Sequence, residues 1–369
     1  MVKPAIDLSQ FNNATPLVMH VDLNSCFASI EQQARPKLRG RPVVIVNRAC
    51  SKTSIITASY EAKNLGVKTL MKLSDAKRII PNLIAIESDP AKYRFVYRKI
   101  LNIRESYSAH VTMKSIDEGV IDFNQTTNLI KKVGLENIAY EIKNRLSTEV
   151  GVAMRCNIGI GTNRFLAKTA ASLHKPNGLD IITSQNLHSI FKNLKLTDLT
   201  GIANKNQARL NAVNIFTPLD FLNTNEEILR LVVFKSIEGT KWHQRLRGFE
   251  VDDVTSEISR VGRQYVLESF SLNQYQILQR LHHLCESVGW RKQIIHIILF
   301  GTILNFLLHL FVVIRLFSLL LKNFFLQHHK TLKKLAFTAT NFLTIVATNW
   351  FYSQTNYYKK KLFLWQPIK

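Results

Sequence analysis

Three carboxylates stand where the chain would otherwise be wholly apolar. Asp22 interrupts LVMHVDL, and Asp117 with Glu118 sits inside SIDEGVID. Burying such charges together is costly for every unpaired ion, so a cluster of this kind persists only where cations neutralise it. Magnesium suits three acids with no His or Cys cluster, because it takes oxygen ligands and is shared between carboxylates and substrate phosphates. Two such ions about 4 Å apart can lower the pKa of an attacking hydroxyl and steady a leaving pyrophosphate. Taken singly, each site has a plainer reading, Asp22 as a strand-end turn residue and Asp117-Glu118 as an exposed hairpin corner.

Four further side chains could serve a polyphosphate. Lys168, in RFLAKTAAS, lies on a predicted helix behind the turn Gly159-Ile160-Gly161, where an ammonium can meet a triphosphate. Thr57, Tyr60 and Lys63 come from one strand-to-helix passage. Tyr60 and Lys63 share a helix face at i, i+3, so a hydroxyl, a phenol and a cation can converge. Each of these also has a surface or capping explanation. Phe27, five residues past Asp22, falls on a helix start beside the acids, or else is an ordinary core aromatic.

The elements that must position these groups follow from hydrophobic pattern. Residues 17–23 (LVMHVDL) and 42–46 (PVVIV) read as buried strands around a helix at 25–34, and 52–57 precedes a helical stretch at 58–65. A helix is expected over 92–107, two strands over 110–123, a helix over 135–150, then a strand at 155–161 leading into a helix at 163–173. The order β-α-β, helix, β-β, α-β is ferredoxin-like with an inserted segment, an α/β (α+β) class. Residues 185–250 read as helical, with Gly201 in a short turn and Thr217-Pro218 opening a helix, like a small binder of DNA backbone.

Charge narrows the partners. Lys and Arg outnumber Asp and Glu by 49 to 26, for a net charge of +23, which favours a polyanion such as nucleic acid or an anionic membrane. Cys26, Cys50, Cys156 and Cys285 show no CxxC spacing, which suits a reducing cytosol and offers no zinc site. The first residues lack the apolar run of a secretory signal. All acids lie at or before Glu286. Within the acid-free remainder, 297–314 is 18 residues without formal charge, the minimum for a membrane span, yet Asn305 and His309 fall in mid-span.

The passages VDLNSCFASIEQQARPKLRGRPVVIV, TASYEAKNLGVKTLM, SIDEGVID and IGIGTNRFLAKTAASLHKPNG, in this order and spacing, resemble the motifs of the Y-family translesion DNA polymerases, the group that includes bacterial DNA polymerases IV and V. The resemblance covers residues 17 to about 290. It implies a ferredoxin-like palm at 17–45 and 92–183, small fingers at 46–91, a thumb with a helix-hairpin-helix at 184–252, and the start of a little finger at 258–290. It further implies that Asp22 and Asp117 ligate two Mg²⁺ ions, Glu118 the catalytic one and the Leu23 carbonyl the nucleotide-side one. Phe27 becomes the gate that rejects a ribose 2′-OH, while Thr57, Tyr60, Lys63 and Lys168 hold the triphosphate. The implied activity is low-fidelity, lesion-bypassing addition of dNTPs to a primer 3′-OH. The implied setting is a cytoplasmic monomer on primer–template DNA, with a sliding clamp as candidate partner and no membrane.

Departures from the family pattern qualify that expectation. Lys63 stands where arginine is usual, a point charge in place of a bidentate fork. Ala203 replaces the second glycine of the thumb hairpin, and Leu70 replaces a glycine before Met71. From about residue 291 the likeness stops, and loss of all acids with enrichment in Phe, Leu, Asn and Lys reads as a shifted reading frame of an AT-rich gene, ahead of a divergent domain or a membrane segment. Two alternatives follow. One is a polymerase relic that binds DNA with weak or no turnover for want of a little finger. The other is a nucleotidyl cyclase, which uses a similar palm and two metals without a template.

Overall fold

A computed structural model describes residues 10–253, apart from 49 and 52, and 273–289, apart from 287. The chain divides into two units, Met1–Val254 and Thr255–Lys369. In the second unit the described residues include a helix at 274–286. The readings of 291–369 as a shifted frame, a divergent domain or a membrane segment lie outside the described residues, as does 258–272 of the expected little finger. Among the described residues no helix is long and apolar enough to cross a membrane.

The first unit is built on a five-stranded sheet. Its members are β1 (Val18–Leu23), β5 (Val111–Met113), β6 (Glu118–Asp122), β7 (Cys156–Gly161) and β8 (Leu179–Ile181), in spatial order β5-β6-β1-β7-β8. β1 is antiparallel to both β6 and β7, β5 is antiparallel to β6, and β8 runs parallel to β7. The first four of these strands, with their crossover helices, give the expected ferredoxin-like arrangement.

Alternation along β1 sends its side chains to two destinations. Met19, Val21 and Leu23 enter the main core with Ile121, Phe123, Cys156, Ile158 and Ile160. That core is closed by α1 (Cys26–Ala34), α4 (Pro90–Glu105) and α6 (Leu135–Arg145). Val18 faces the other way, packing with Val120 and with Ala167 of α7 (Arg164–Leu173). By the same alternation His20 and Asp22 belong to the α7 face. α7 lies close to the sheet because β7 offers glycines there: a Cβ on Gly159 would stand 2.0 Å from the Ala167 carbonyl oxygen and 2.1 Å from the Ala171 nitrogen.

A second, three-stranded sheet runs in the order β3-β2-β4, from β2 (Val43–Val46), β3 (Ile55–Ala58) and β4 (Ile84–Glu87). The expected strand at 42–46 is β2, antiparallel to β3 and parallel to β4. It serves both cores: Val43 and Ile45 enter the main one, Val44 and Val46 the smaller one. That smaller core is completed by α2 (Tyr60–Asn64) and α3 (Leu73–Ile79). The turn before α3 contains Leu70 at φ 68, a left-handed conformation that costs a side-chain-bearing residue roughly 1–2 kcal/mol. The glycine that Leu70 replaces would carry no such strain.

Residues 187–246 form the expected helical block. It contains α8 (Leu187–Lys192), α9 (Asn204–Asn211), α10 (Pro218–Asn223) and α11 (Glu238–Leu246), with a π-helical stretch at Ile228–Val233. Its core is aromatic: Trp242 meets Phe165 of α7 edge-on at 5.5 Å, and Phe221 and Phe234 at 5.4 and 6.2 Å. Polar straps fasten the block to the start of α7. Arg164 bonds Glu250 at 3.0 Å, and Asn163 donates to the carbonyls of Arg245 and Phe249. Ala203 precedes α9 at φ −99, so alanine in place of the expected glycine introduces no backbone strain.

α1 and α4 are locked by a buried acid. Glu31 is wholly buried and accepts from Lys92 Nζ at 2.9 Å and from the Tyr93 hydroxyl at 3.1 Å. Removing one partner of a buried ion pair strands the other. Lys92→Met should therefore cost about 3 kcal/mol in a urea titration, an effect that a surface pair would not produce. Gly159→Ala forces a methyl group into the α7 backbone and should cost about 3 kcal/mol or prevent folding altogether, read by the same titration.

Candidate nucleotidyl-transfer site

The acids meet through backbone pairing. On β1 and β6, Asp22 and Glu118 are direct cross-strand partners. One residue further on, the Leu23 amide donates to the Asp117 carbonyl at 3.0 Å. Asp22 and Glu118 thus face each other on neighbouring strands, with Asp117 immediately before β6. Beneath them lies Arg104 of α4, 1% exposed, whose Nη2 donates to the carbonyls of Asp117 at 3.3 Å and Val21 at 3.4 Å. Gly119 leaves it room, since a Cβ there would come within 2.8 Å of Arg104 Nη1.

The carboxylate groups themselves are turned to different partners. Glu118 takes Lys168 Nζ at 2.7 and 2.9 Å, and His20 Nε2 approaches it at 3.4 Å. His20 and Lys168 together hold the Glu118 carboxyl down to about 2, against the upward push of burial. Burial lowers the His20 pKa, against the opposing pull of Glu118. At 3.4 Å its contact with Glu118 is longer than a well-formed hydrogen bond, and neither ring nitrogen has a hydrogen-bond partner among the described residues. Asp22 pairs with Lys175, and Asp117 accepts from the Ser115 hydroxyl. Among the described residues no group of three or more His, Cys, Asp or Glu is gathered closely enough to hold a metal ion. The expected ligands Asp22, Asp117 and Glu118 are thus neighbours in the backbone, with their side chains drawn to Lys175, Ser115 and Lys168.

The expected triphosphate residues divide into two groups. Tyr60 and Lys63 stand together on α2, with Lys63 Nζ 4.7 Å from the Tyr60 ring centre and 2.8 Å from Ser25 Oγ. Burial and the nearby Lys175 ammonium push the Lys63 pKa down, while burial and Asp22 push the Tyr60 phenol up. Thr57 lies just upstream on β3, opposite Ile45. Lys168, by contrast, belongs with Glu118 and His20. The ammonium that joins Tyr60 and Lys63 at Asp22 is Lys175, which the sequence reading passed over.

Phe27 occupies the first turn of α1, half-buried, its ring stacked on Tyr93 at 4.3 Å and 10°. Tyr93 is in turn fixed by Glu31, so the Phe27 ring has a rigid backing. On the α7 side a cleft of 690 Å³ opens between the sheet and the helical block. It is lined by His20, Glu118 and Lys168 on one wall, and by Gly201, Arg209 and Trp242 on the other.

His20, Asn24, Arg104, Asn157 and Lys175 also escaped the sequence reading. His20 was findable, lying two residues before Asp22 and so on the same strand face. Asn157 is the one amide in an otherwise apolar strand, CNIGIG. Lys175 and Arg104 reach the site only through tertiary packing, and no local pattern marks them.

Comparison with known proteins bears on the family and the fold. The profile of the impB/mucB/samB family matches residues 21–172. The DNA polymerase IV of Oceanobacillus iheyensis is 28% identical over 284 residues, spanning 76% of this chain and 66% of that protein. The DNA polymerase IV of Staphylococcus aureus (strain JH9) is 30% identical over 271 residues, spanning 72% of this chain and 74% of that one. Among solved structures, DinB from Sulfolobus solfataricus superposes with a TM-score of 0.54 at 27% identity, over 62% of this chain and 66% of that one. An insertion ternary complex of Dbh DNA polymerase gives 0.54 at 29%, over 62% and 67%. With four motifs, a ferredoxin-like sheet and these relatives in agreement, the chain belongs to the Y-family of DNA polymerases, akin to the DNA polymerase IV proteins.

Proposed function

We propose that the chain is a template-directed DNA polymerase that adds dNTPs to a primer 3′-OH with lesion-bypassing, low-fidelity behaviour. The observation that carries this reading is the cross-strand pairing of Asp22 with Glu118, next to Asp117 and facing the Tyr60, Lys63 and Lys175 cluster. The donors are all oxygens, which fits Mg²⁺. Asp22, Asp117, Glu118 and the Leu23 carbonyl would hold two such ions. Bound there, Mg²⁺ supplies Lewis acidity to the attacking hydroxyl and charge stabilisation to the departing pyrophosphate.

The protein's own groups do the rest. Tyr60, Lys63 and Lys175 orient the triphosphate from the α2 side, with Thr57 next to them. Lys168 offers a further cation from the α7 side. The Phe27 ring, held by Tyr93, closes the space that a ribose 2′-OH would need. Lys168 and Arg209 give the cleft the positive charge that a DNA backbone requires, and gripping phosphates there is independent of base sequence. The second sheet is small, three strands and two short helices, and so presses loosely on a nascent pair. That looseness is the physical basis for tolerating a damaged template base.

A second reading is a polymerase relic that binds DNA and dNTP with little or no turnover. It is favoured by the dispersal of the acid side chains towards Lys175, Ser115 and Lys168. Primer extension with Mg²⁺ separates the readings. The polymerase adds dNTPs, and Asp117→Ala lowers the rate by about three orders of magnitude, as loss of several kcal/mol of charge stabilisation requires. Phe27→Ala should raise rNTP incorporation by about a hundredfold relative to dNTP. A relic binds the duplex and adds nothing in either form. Template-free cyclisation of the nucleotide would support a cyclase in place of both.

A further inference from the structure

Two asparagines that no part of the proposed chemistry uses are buried beside it. Asn24 is 4% exposed and Asn157 is wholly buried. An amide in such a place is costly unless both its ends are satisfied. Here they satisfy each other and one loop. Asn24 Nδ2 donates to Asn157 Oδ1 at 2.7 Å. The remaining ends both reach the segment after α7: Asn157 Nδ2 donates to the His174 carbonyl at 2.9 Å, and Asn24 Oδ1 accepts from the Asn177 amide at 2.8 Å. Lys175 lies between those two anchor points.

The placement of this amide pair is set by the sheet. Asn157 is the cross-strand partner of Asp22 on β7, and the Asn24 backbone amide donates to the Arg155 carbonyl at 2.8 Å. The Ser29 hydroxyl fixes the Asn24 carbonyl at 2.7 Å. Asn24 Nδ2 also approaches the Tyr60 hydroxyl at 3.5 Å. The pair therefore touches the loop that carries Lys175, the strand that carries Asp22, and the phenol of Tyr60. Other supports of the loop are exposed: Lys143 Nζ to the Asn177 carbonyl at 2.6 Å, and His174 to Asp180 at 2.7 Å. Exposed contacts of that sort hold geometry less firmly than buried ones.

We propose that Asn24 and Asn157 form a buried amide clamp whose function is to position Lys175 for the triphosphate of the incoming nucleotide. They are positioning residues, acting through Lys175 without touching the nucleotide. This rests on the polymerase reading for the identity of the ligand. The bonds to His174 and Asn177 fix the backbone on both sides of Lys175, so the entropy of ordering a lysine side chain against a polyphosphate is partly met in advance.

Equilibrium binding of a fluorescent dNTP to the full chain on primer–template DNA tests the clamp, at a temperature where every variant is folded. Asn157→Ala should weaken binding by about tenfold, the effect of losing the bond to the His174 carbonyl that fixes one side of Lys175. Lys175→Ala should weaken it at least as much, and the double variant should bind no more weakly than Lys175→Ala alone. Asn157→Ser, which keeps a donor and an acceptor, covers the case in which the alanine does not fold, and should fall between wild type and alanine. Unchanged affinity in folded Asn157 variants overturns the clamp, as do losses that multiply in the double variant. A wild-type chain that shows the expected pattern but extends no primer keeps the clamp and overturns only turnover. One that binds no dNTP overturns both.

Discussion

Antiparallel pairing of β1 with β6 on one side and β7 on the other is the constraint from which the site follows. It sets Asp22 between Glu118 and Asn157, and a slip of one residue would turn every side chain of β1 to the opposite face. Register is secured by the main core, where Met19, Val21 and Leu23 are buried against α1, α4 and α6. The acids are therefore held by apolar packing on the far face of the same strand. Their mutual repulsion is met by Lys168, Lys175 and the buried Arg104, each delivered by a different element.

This arrangement couples stability to chemistry. α7 carries Lys168 and can lie against the sheet only because Gly159 leaves space, and the same helix contributes Phe165 and Leu166 to the core of the helical block. The wall of the cleft and the cation on Glu118 are thus one element. On the other side, Glu31 ties α4 to α1 and backs the Phe27 ring through Tyr93. Neither Phe27 nor Lys168 sits on a free loop, so a change in either element's packing is felt at the acids.

Much of the site was legible from sequence because strand alternation and short motifs mark it. Acids in apolar strands identified Asp22, Asp117 and Glu118, and the strand-to-helix passage identified Tyr60 and Lys63. Glycine at the position of Leu70 was expected, and its left-handed φ explains why. What escaped depends on distance in the chain. Lys175 meets Asp22 across 153 residues, and Asn24 meets Asn157 across 133. No period or spacing encodes such meetings. Lys168 was read as a triphosphate residue from its helix behind a glycine turn, and its pairing with Glu118 across 50 residues has no local mark in the sequence. Residues 42–46 were legible as a buried strand, but a four-residue strand apolar on both faces can serve two cores, and β2 does.

The claim on which the account turns is that Asp22, Asp117 and Glu118 act together as a metal-binding set once nucleotide and DNA are present. Mn²⁺ binding followed by electron paramagnetic resonance, on the full chain with primer–template and dNTP, addresses it without relying on turnover. The account predicts two bound ions per chain in the wild type and their loss in Asp117→Ala. Equal Mn²⁺ binding by wild type and Asp117→Ala, or binding only to free dNTP, would contradict it.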